Sequence, residues 1–244
     1  MNRLMKAIFR LDFKASYQLM NRPGDVLKIL LEAQDDYWTQ FRERREAHGL
    51  QAVHEEKDRS LWTNIAVEHA TVHGSIEVAI GVPLETARNH QFFSIANKVV
   101  TQTLETFDIR HVDRAGLRFF VFVYGASRKM PSDVAFFSRS HLRDFGAELG
   151  EISDISCTVE GITADAVGYR LTTGPAGPND RKNILKIVDV EGDSASPDLI
   201  HSYTLDLDLF ERDLEIPGSS FDRWSKTKWS AIDDFVRHLG KSIY

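Results

Sequence analysis

The chain has 244 residues, of which 42% are hydrophobic and 27% are charged, as in ordinary soluble globular proteins. Its net charge of −6 excludes a global electrostatic attraction to nucleic acid, although a local basic patch stays open. One cysteine, Cys157, excludes an intramolecular disulfide, and no stretch has the ~20 apolar residues of a membrane helix or the features of a signal peptide. We therefore expect a cytoplasmic protein.

The first third of the chain alternates between strand and helix patterns. Polar and apolar residues alternate over residues 6–19, which predicts a strand that is wet on one side. Residues 23–47 have apolar positions at helical spacing and a proline in the first turn, which predicts a long helix. Its predicted buried stripe consists of Leu27, Leu30, Leu31, Trp38 and Phe41. The polar residues 51–59 predict a loop or a frayed strand.

Strand patterns dominate the next segment. Two strands are predicted between residues 60 and 82, with Gly74 at a tight connection or a bulge between them. A helix is predicted over residues 87–107, and the segment 112–124 then reads VDRAGLRFFVFVY. Its apolar residues lie on both faces of a strand, which predicts a central strand with Leu117, Phe119 and Val121 in the core.

The second half repeats this mixture. The pattern predicts a helix over residues 132–149 and then strands at 152–160 and 162–173, joined near Gly161. Further strands are predicted at 184–190 and 199–210. A last helix runs from about residue 219 nearly to the end of the chain, with a predicted buried stripe of Phe221, Trp224, Ile232, Phe235, Val236 and Leu239.

The order of these elements predicts the fold class. It lacks the regular βαβ alternation of a doubly wound parallel sheet. We expect an α+β fold, with an antiparallel or mixed sheet and amphipathic helices mostly on one face. The order also predicts a single domain over residues 1–244, made of two pseudo-similar ferredoxin-like halves of about 1–125 and 126–244.

Arg118, Asp206 and Asp208 are the candidate catalytic residues. A guanidinium on a central strand requires a partner, which can be a carboxylate of this chain or an anionic ligand. Asp206 and Asp208 alternate along one strand face and could bind Mg²⁺ or share a proton. The alternation is equally typical of a solvated sheet face, and a structural ion pair is the favoured interpretation of Arg118.

The other polar groups offer weaker candidates. His69 and His73 lack the glutamate of an HExxH motif, and adjacent residues of His54-Glu55-Glu56 point apart, so we expect no metal site. The chain contains no phosphate-binding loop, dinucleotide-binding glycine motif or nucleophile elbow, and we expect no cofactor. Lys226, Lys228 and Trp229 could contact a single nucleic-acid strand or anchor a protein partner. Trp229 is predicted to lie partly exposed beside the main helix stripe.

Two short motifs carry a family resemblance. Gly116-Leu117-Arg118 in a strand after an amphipathic helix, and the late strand LDLDLF at residues 205–210, resemble a sporadically distributed, functionally uncharacterised bacterial protein family of about this length. The resemblance implies a bacterial origin and a similar fold, and the patchy distribution hints at mobile or defence-related gene cassettes. It implies no catalytic residues.

Three function hypotheses follow. The favoured one is a non-enzymatic cytosolic interaction protein, a subunit of a bacterial assembly, that binds another protein or itself. The second is a phosphate- or nucleotide-acting enzyme that uses Asp206, Asp208 and Arg118. The third is a module that binds nucleic acid or a small ligand, which the acidic net charge disfavours.

Overall fold

The computed structural model describes residues 2–34, 36–56, 61–126, 155–163, 166–176, 200–215 and 221–243. Within them, nine strands form one antiparallel sheet in the order β2-β3-β4-β5-β1-β6-β9-β8-β7. The strands are β1 (Asn2–Asp12), β2 (Gln40–Arg44), β3 (Gly49–Glu56), β4 (Leu61–Glu68), β5 (Thr71–Pro83), β6 (His111–Ala126), β7 (Cys157–Ile162), β8 (Gly168–Pro175) and β9 (Ile200–Glu215). The helices are α1 (Tyr17–Asn21), α2 (Pro23–Ala33), α3 (Leu84–Arg88), α4 (Gln91–Thr106) and α5 (Phe221–Ile243).

These elements confirm the α+β class and the antiparallel sheet. The first strand of the chain lies between β5 and β6, so β1, β6 and β9 form the middle of the sheet. The predicted central strand is confirmed as β6, on which Leu117, Phe119 and Val121 are buried. No helix in the described residues is long and apolar enough to span a membrane.

The first two predicted elements need correction. The strand predicted over 6–19 is β1, which starts and ends earlier, because Ser16 caps α1 by accepting a hydrogen bond from the Leu19 amide. The helix predicted over 23–47 is wrong beyond Ala33. Trp38 is buried, but its indole Nε1 donates to the Leu30 carbonyl from the segment after the helix.

The remainder of that predicted helix is a strand and a short 3-10 turn. Residues 40–44 form the edge strand β2, and all five are exposed. Phe41 therefore lies on a sheet edge, and Leu27 is 37% exposed on α2. The charged run RERR has a helical period by coincidence, and alternating charges are also a common way to protect an edge strand.

Gly74 is predicted at a tight connection or a bulge, and Gly161 near the connection between two strands, but both glycines lie within strands. The β4–β5 turn is at residues 69–70, and Gly74 lies in β5 opposite Phe9. A Cβ atom at Gly74 would come within 2.6 Å of the Phe9 ring, so the glycine makes room for a core side chain. Gly161 lies in β7, which ends at Ile162, and β8 begins at Gly168.

The helix predicted over 87–107 is divided in two. α3 ends at Arg88, and α4 begins after His90, whose Nδ1 accepts a hydrogen bond from the Phe92 amide. In the segment predicted as a loop or a frayed strand, residues 51–56 belong to β3. The predicted helix 132–149 and strand 184–190 lie outside the described residues.

The core joins the middle of the sheet to two helices. The Phe9 ring of β1 lies 6.2 Å from Phe92 of α4 and 6.0 Å from Phe221 of α5, and Phe119 of β6 lies 4.8 Å from Trp229 of α5. The buried apolar residues form one cluster that includes these rings. A single domain, ferredoxin-like halves and helices mostly on one face stay predictions.

The Phe119→Ala variant tests the position of this core. Phe119 is fully buried against Trp229, so its truncation should lower the free energy of unfolding by about 3–5 kcal/mol through lost burial and a cavity. Urea unfolding measures the change. Trp62→Ala, at an exposed position on β4, is the control and should cost much less. Equal effects of the two substitutions would contradict this assignment of the core.

Candidate functional site

The three candidate catalytic residues lie together on one face of β6 and β9. Side chains on this face alternate with the core residues, and neighbouring strands add further charges. We call the surface the charged sheet face and define it by Lys6, Arg10 and Asp12 of β1, Arg114, Arg118 and Phe120 of β6, Arg170 of β8, and Asp206, Asp208, Phe210 and Arg212 of β9.

Arg118 forms a two-pronged ion pair with Asp206. Its Nε and Nη2 atoms donate to the two carboxylate oxygens at 2.8 and 2.6 Å. The guanidinium also lies 4.7 Å from the centroid of the Phe120 ring. The hydrogen bonds that Arg118 donates to Asp206 raise the pKa of the guanidinium, although partial burial opposes them, so the group stays charged. The predicted ion pair with a carboxylate of this chain is confirmed.

Asp208 is held by a second arginine. Arg114 Nη2 donates to Asp208 Oδ2 at 2.8 Å, although the residue directly opposite Asp208 is Arg118. The Arg114 side chain reaches Asp208 by lying over Gly116. A Cβ atom at Gly116 would lie 3.6 Å from both Arg114 Cζ and Asp208 Oδ1, which is an ordinary van der Waals distance, so the ion pair lies directly beside the glycine of the Gly-Leu-Arg motif.

Further pairs continue across the same face. Lys6 lies 2.9 Å from Glu77, Arg10 lies 2.7 Å from Asp12, and Arg170 lies 3.2 Å from Glu160. The side chains remain partly solvated, with Arg118 at 47% and Asp206 at 25% exposure. Such pairs contribute little to stability, but together they hold charged groups on rigid strands.

Trp229 lies in the core, and its predicted exposure is wrong. It is 3% exposed and packs edge-on against Phe93 and Phe119, with ring centroids 5.0 and 4.8 Å away. Trp229 is three residues before Ile232 and seven before Val236, which places all three on one helix face. This spacing was present in the sequence, and the predicted stripe omitted it.

The two lysines beside Trp229 have different surroundings. Lys228 is 2% exposed, and its ammonium group donates to Glu211 of β9, whose other oxygen accepts from Trp224 Nε1 at 3.1 Å. Lys226 is exposed and donates to Asp222 at 2.5 Å. The buried position of Lys228 leaves it little surface for the contact with a nucleic-acid strand or a protein partner that the sequence suggested.

A cleft of about 510 Å³ lies between the α3–α4 segment and α5. Lys226 and Trp229 contribute to its walls, and Asn97 of α4 donates to Asp222 of α5 at 2.5 Å. A second cleft of about 320 Å³ lies between the α1–α2 segment and β2–β3. Neither cleft is lined by Arg118, Asp206 or Asp208.

The histidines serve separate local contacts. His69 Nδ1 lies 2.8 Å from the Ala47 carbonyl, and His73 lies 3.5 Å from Glu68, which also pairs with Arg44. His54 is partly buried and stacks on Tyr37 at 4.1 Å, so its predicted solvated position is wrong. Burial raises the pKa of Tyr37 to about 12. The described residues contain no group of three potential ligands that could hold a metal ion.

The comparisons with known proteins add no relative. No family model matches the chain, and no curated protein matches it.

Lys228 should contribute more to stability than Lys226, which lies two residues earlier in the same helix and is exposed, whereas Lys228 is buried. Lys228→Ala should lower the free energy of unfolding by about 2–4 kcal/mol, because it removes both the cation that pairs with Glu211 and the buried packing of the lysine side chain. Lys226→Ala should cost less than about 0.5 kcal/mol, since its pair with Asp222 is solvated. Urea unfolding measures both.

A double variant separates the charge from the packing. Lys228→Met with Glu211→Gln keeps the side-chain volume and an acceptor for Trp224, and it should recover at least half of the loss. Equal destabilisation by the Lys226 and Lys228 single substitutions would mean that the ion pair is solvated.

His73 should make stability depend on pH. Burial lowers the pKa of His73, and Glu68 opposes this only in part. An unfolded histidine, with its usual pKa of about 6.5, then binds protons more readily than the folded one, so the free energy of unfolding should fall as the pH drops below about 6.5. Unfolding of wild type and His73→Gln between pH 7.5 and 5.5 tests this. Parallel pH curves for the two proteins would rule out His73 as the source.

Proposed function

We propose that this protein is a non-enzymatic interaction module that binds a partner protein through the charged sheet face. The observation that carries the proposal is the pairing of Asp206 with Arg118 and of Asp208 with Arg114 on a partly solvated surface. Arginine and aromatic residues are enriched in protein interfaces, and here each guanidinium is already held in place by a carboxylate. A preorganised surface loses less conformational entropy on binding.

The same pairing disfavours the enzyme hypothesis. A general acid or base needs a carboxylate that can exchange a proton with a bound substrate, and a Mg²⁺ site needs free carboxylate oxygens. Asp206 uses both oxygens for Arg118, and Asp208 uses one for Arg114. Among the described residues, neither of the two clefts is lined by Asp206 or Asp208, and Arg118 beside them is 47% exposed to solvent.

The surroundings of the rings disfavour nucleic acid. Base stacking needs an open aromatic face. Arg118 lies over Phe120, and Arg114 and Arg212 lie over Phe210, so guanidinium groups occupy positions where bases would stack. The lysines considered for phosphate contact pair with Asp222 and Glu211.

The wider context of the proposal is a cytoplasmic bacterial assembly, and it comes from the family resemblance alone. We also propose that the sheet is made of two pseudo-similar halves. β6 of the first half pairs with β9 of the second over the length of both strands, and the charged sheet face spans this junction. A partner bound there would contact both halves.

A reconstituted complex tests the proposed function. A partner is first identified by crosslinking in cells that carry the gene natively, then purified, and its affinity for the chain is measured by calorimetry. Arg118→Gln should weaken the complex about 10-fold or more, since it removes an exposed anchor while keeping most of the side chain. Arg237→Gln is the matched control, because Arg237 is an exposed, ion-paired arginine on α5.

Two results would contradict the proposal. The first is a complex with equal affinity for wild type and the Arg118→Gln variant. The second is turnover of a phosphate ester that is lost in Asp206→Asn and Asp208→Asn variants whose folds are intact.

A further inference from the structure

Arg114 and Arg212 form a like-charged pair across β6 and β9. They are direct partners in the strand register and lie on the same face as Phe210. Their guanidinium carbons lie 4.9 and 5.6 Å from the centroid of that one ring. Like charges directly opposite each other in a sheet reduce its stability. This pair therefore breaks a local rule, and such places are commonly functional.

The charges around the pair leave one positive charge unmatched. Arg114 pairs with Asp208, and on the neighbouring strand Arg10 pairs with Asp12. Within the described residues, Arg212 is exposed and forms no ion pair. The acids beside it on β9 have other contacts, because Glu211 binds Lys228 and Asp213 lies 3.8 Å from His111.

The Phe210 ring forms the floor beneath the guanidinium groups of Arg114 and Arg212. A Cβ atom at Gly168 of β8 would come within 2.5 Å of the Phe210 ring, so the ring lies over this glycine. Gly116 is the partner of Phe210 on the β6 side. The ring occupies the space that a side chain at position 168 would need, and the guanidinium groups of Arg114 and Arg212 lie over the ring. Stacking on an aromatic ring restricts a guanidinium and prepares it for planar ligands.

We propose that Arg212 and Arg114, on the floor formed by Phe210, are the binding subsite for a carboxylate of the partner protein, supplied by an Asp or Glu side chain. This inference rests on the proposed function only for the source of the carboxylate. A planar carboxylate matches the fork of a guanidinium, as Asp206 does with Arg118 on the same face. Its single charge matches the one unmatched charge, whereas a phosphate dianion would be repelled by Asp208.

An acidic peptide tests the subsite without knowledge of the partner. Binding of a fluorescently labelled hexaglutamate peptide to the full chain is measured by anisotropy at low salt, with hexaglutamine as the uncharged comparison. Arg212→Gln should weaken hexaglutamate binding about 10-fold or more. Arg237→Gln should leave it unchanged, because Arg237 is an exposed arginine of α5 that pairs with Asp234 and lies outside the charged sheet face.

Stability supplies a second measurement. Arg212→Gln relieves the repulsion from Arg114, so its melting temperature should equal that of wild type or exceed it by about 1 °C. A structural role for Arg212 would instead lower the melting temperature. Arg212→Lys keeps the charge but loses the planar fork, and its affinity should fall between those of wild type and Arg212→Gln.

Several outcomes would overturn the subsite. They are equal peptide affinities for wild type and Arg212→Gln, a melting temperature several degrees lower in that variant, or displacement of the peptide by inorganic phosphate at concentrations where acetate has no effect. The subsite and the proposed function fail separately. A partner complex that depends on Arg118 but ignores Arg212 removes only the subsite, and peptide binding without any partner complex removes only the function.

Discussion

The pairing of β6 with β1 and β9 determines both surfaces of the sheet. In this register Phe119 lies beside Ala7 and Leu207, while Arg118 on the next position faces the opposite side with Asp208. A slip by one residue would move Phe119 into water and Arg118 into the core. The free energy of burying an aromatic side chain far exceeds that of a solvated ion pair. The core therefore fixes the register, and the positions of the charged groups follow from it.

The two kinds of ion pair in this protein have different consequences. The pairs of the charged sheet face remain partly solvated, so removing one partner leaves a charge that water can still reach. In the pair between Lys228 of α5 and Glu211 of β9, the lysine side chain is only 3% exposed, so its ammonium group depends on this partner. The first kind can be exchanged for contacts with another molecule at small cost, whereas the second ties the last helix to β9 and to the core around Trp229.

The sequence predicted those features that depend on local periodicity. Period-two patterns identified β6 and the alternating acids of β9, and the cost of an unpaired guanidinium predicted a carboxylate partner for Arg118. The sequence alone did not identify Asp206 as the partner of Arg118, because strand order and register depend on contacts between distant parts of the chain. The end of α2 was missed because the charges of 42–45 fit a helix as well as an edge strand. Trp229 was misplaced because Lys226 and Lys228 suggested a wet surface, although helical spacing put it beside Ile232.

The charged sheet face combines rigidity with one unbalanced charge. Its side chains are carried by central strands, so they move little, and most guanidinium groups are neutralised by a neighbour. Arg212 departs from this pattern, since its direct partner across the strands is another arginine. If this surface served only to keep the sheet soluble, an acidic residue in place of Arg114 or Arg212 would make the sheet more stable. Glu77 plays this part opposite Lys6. The retained repulsion is understandable if an external carboxylate relieves it, and binding of that carboxylate would then be coupled to the stability of the sheet.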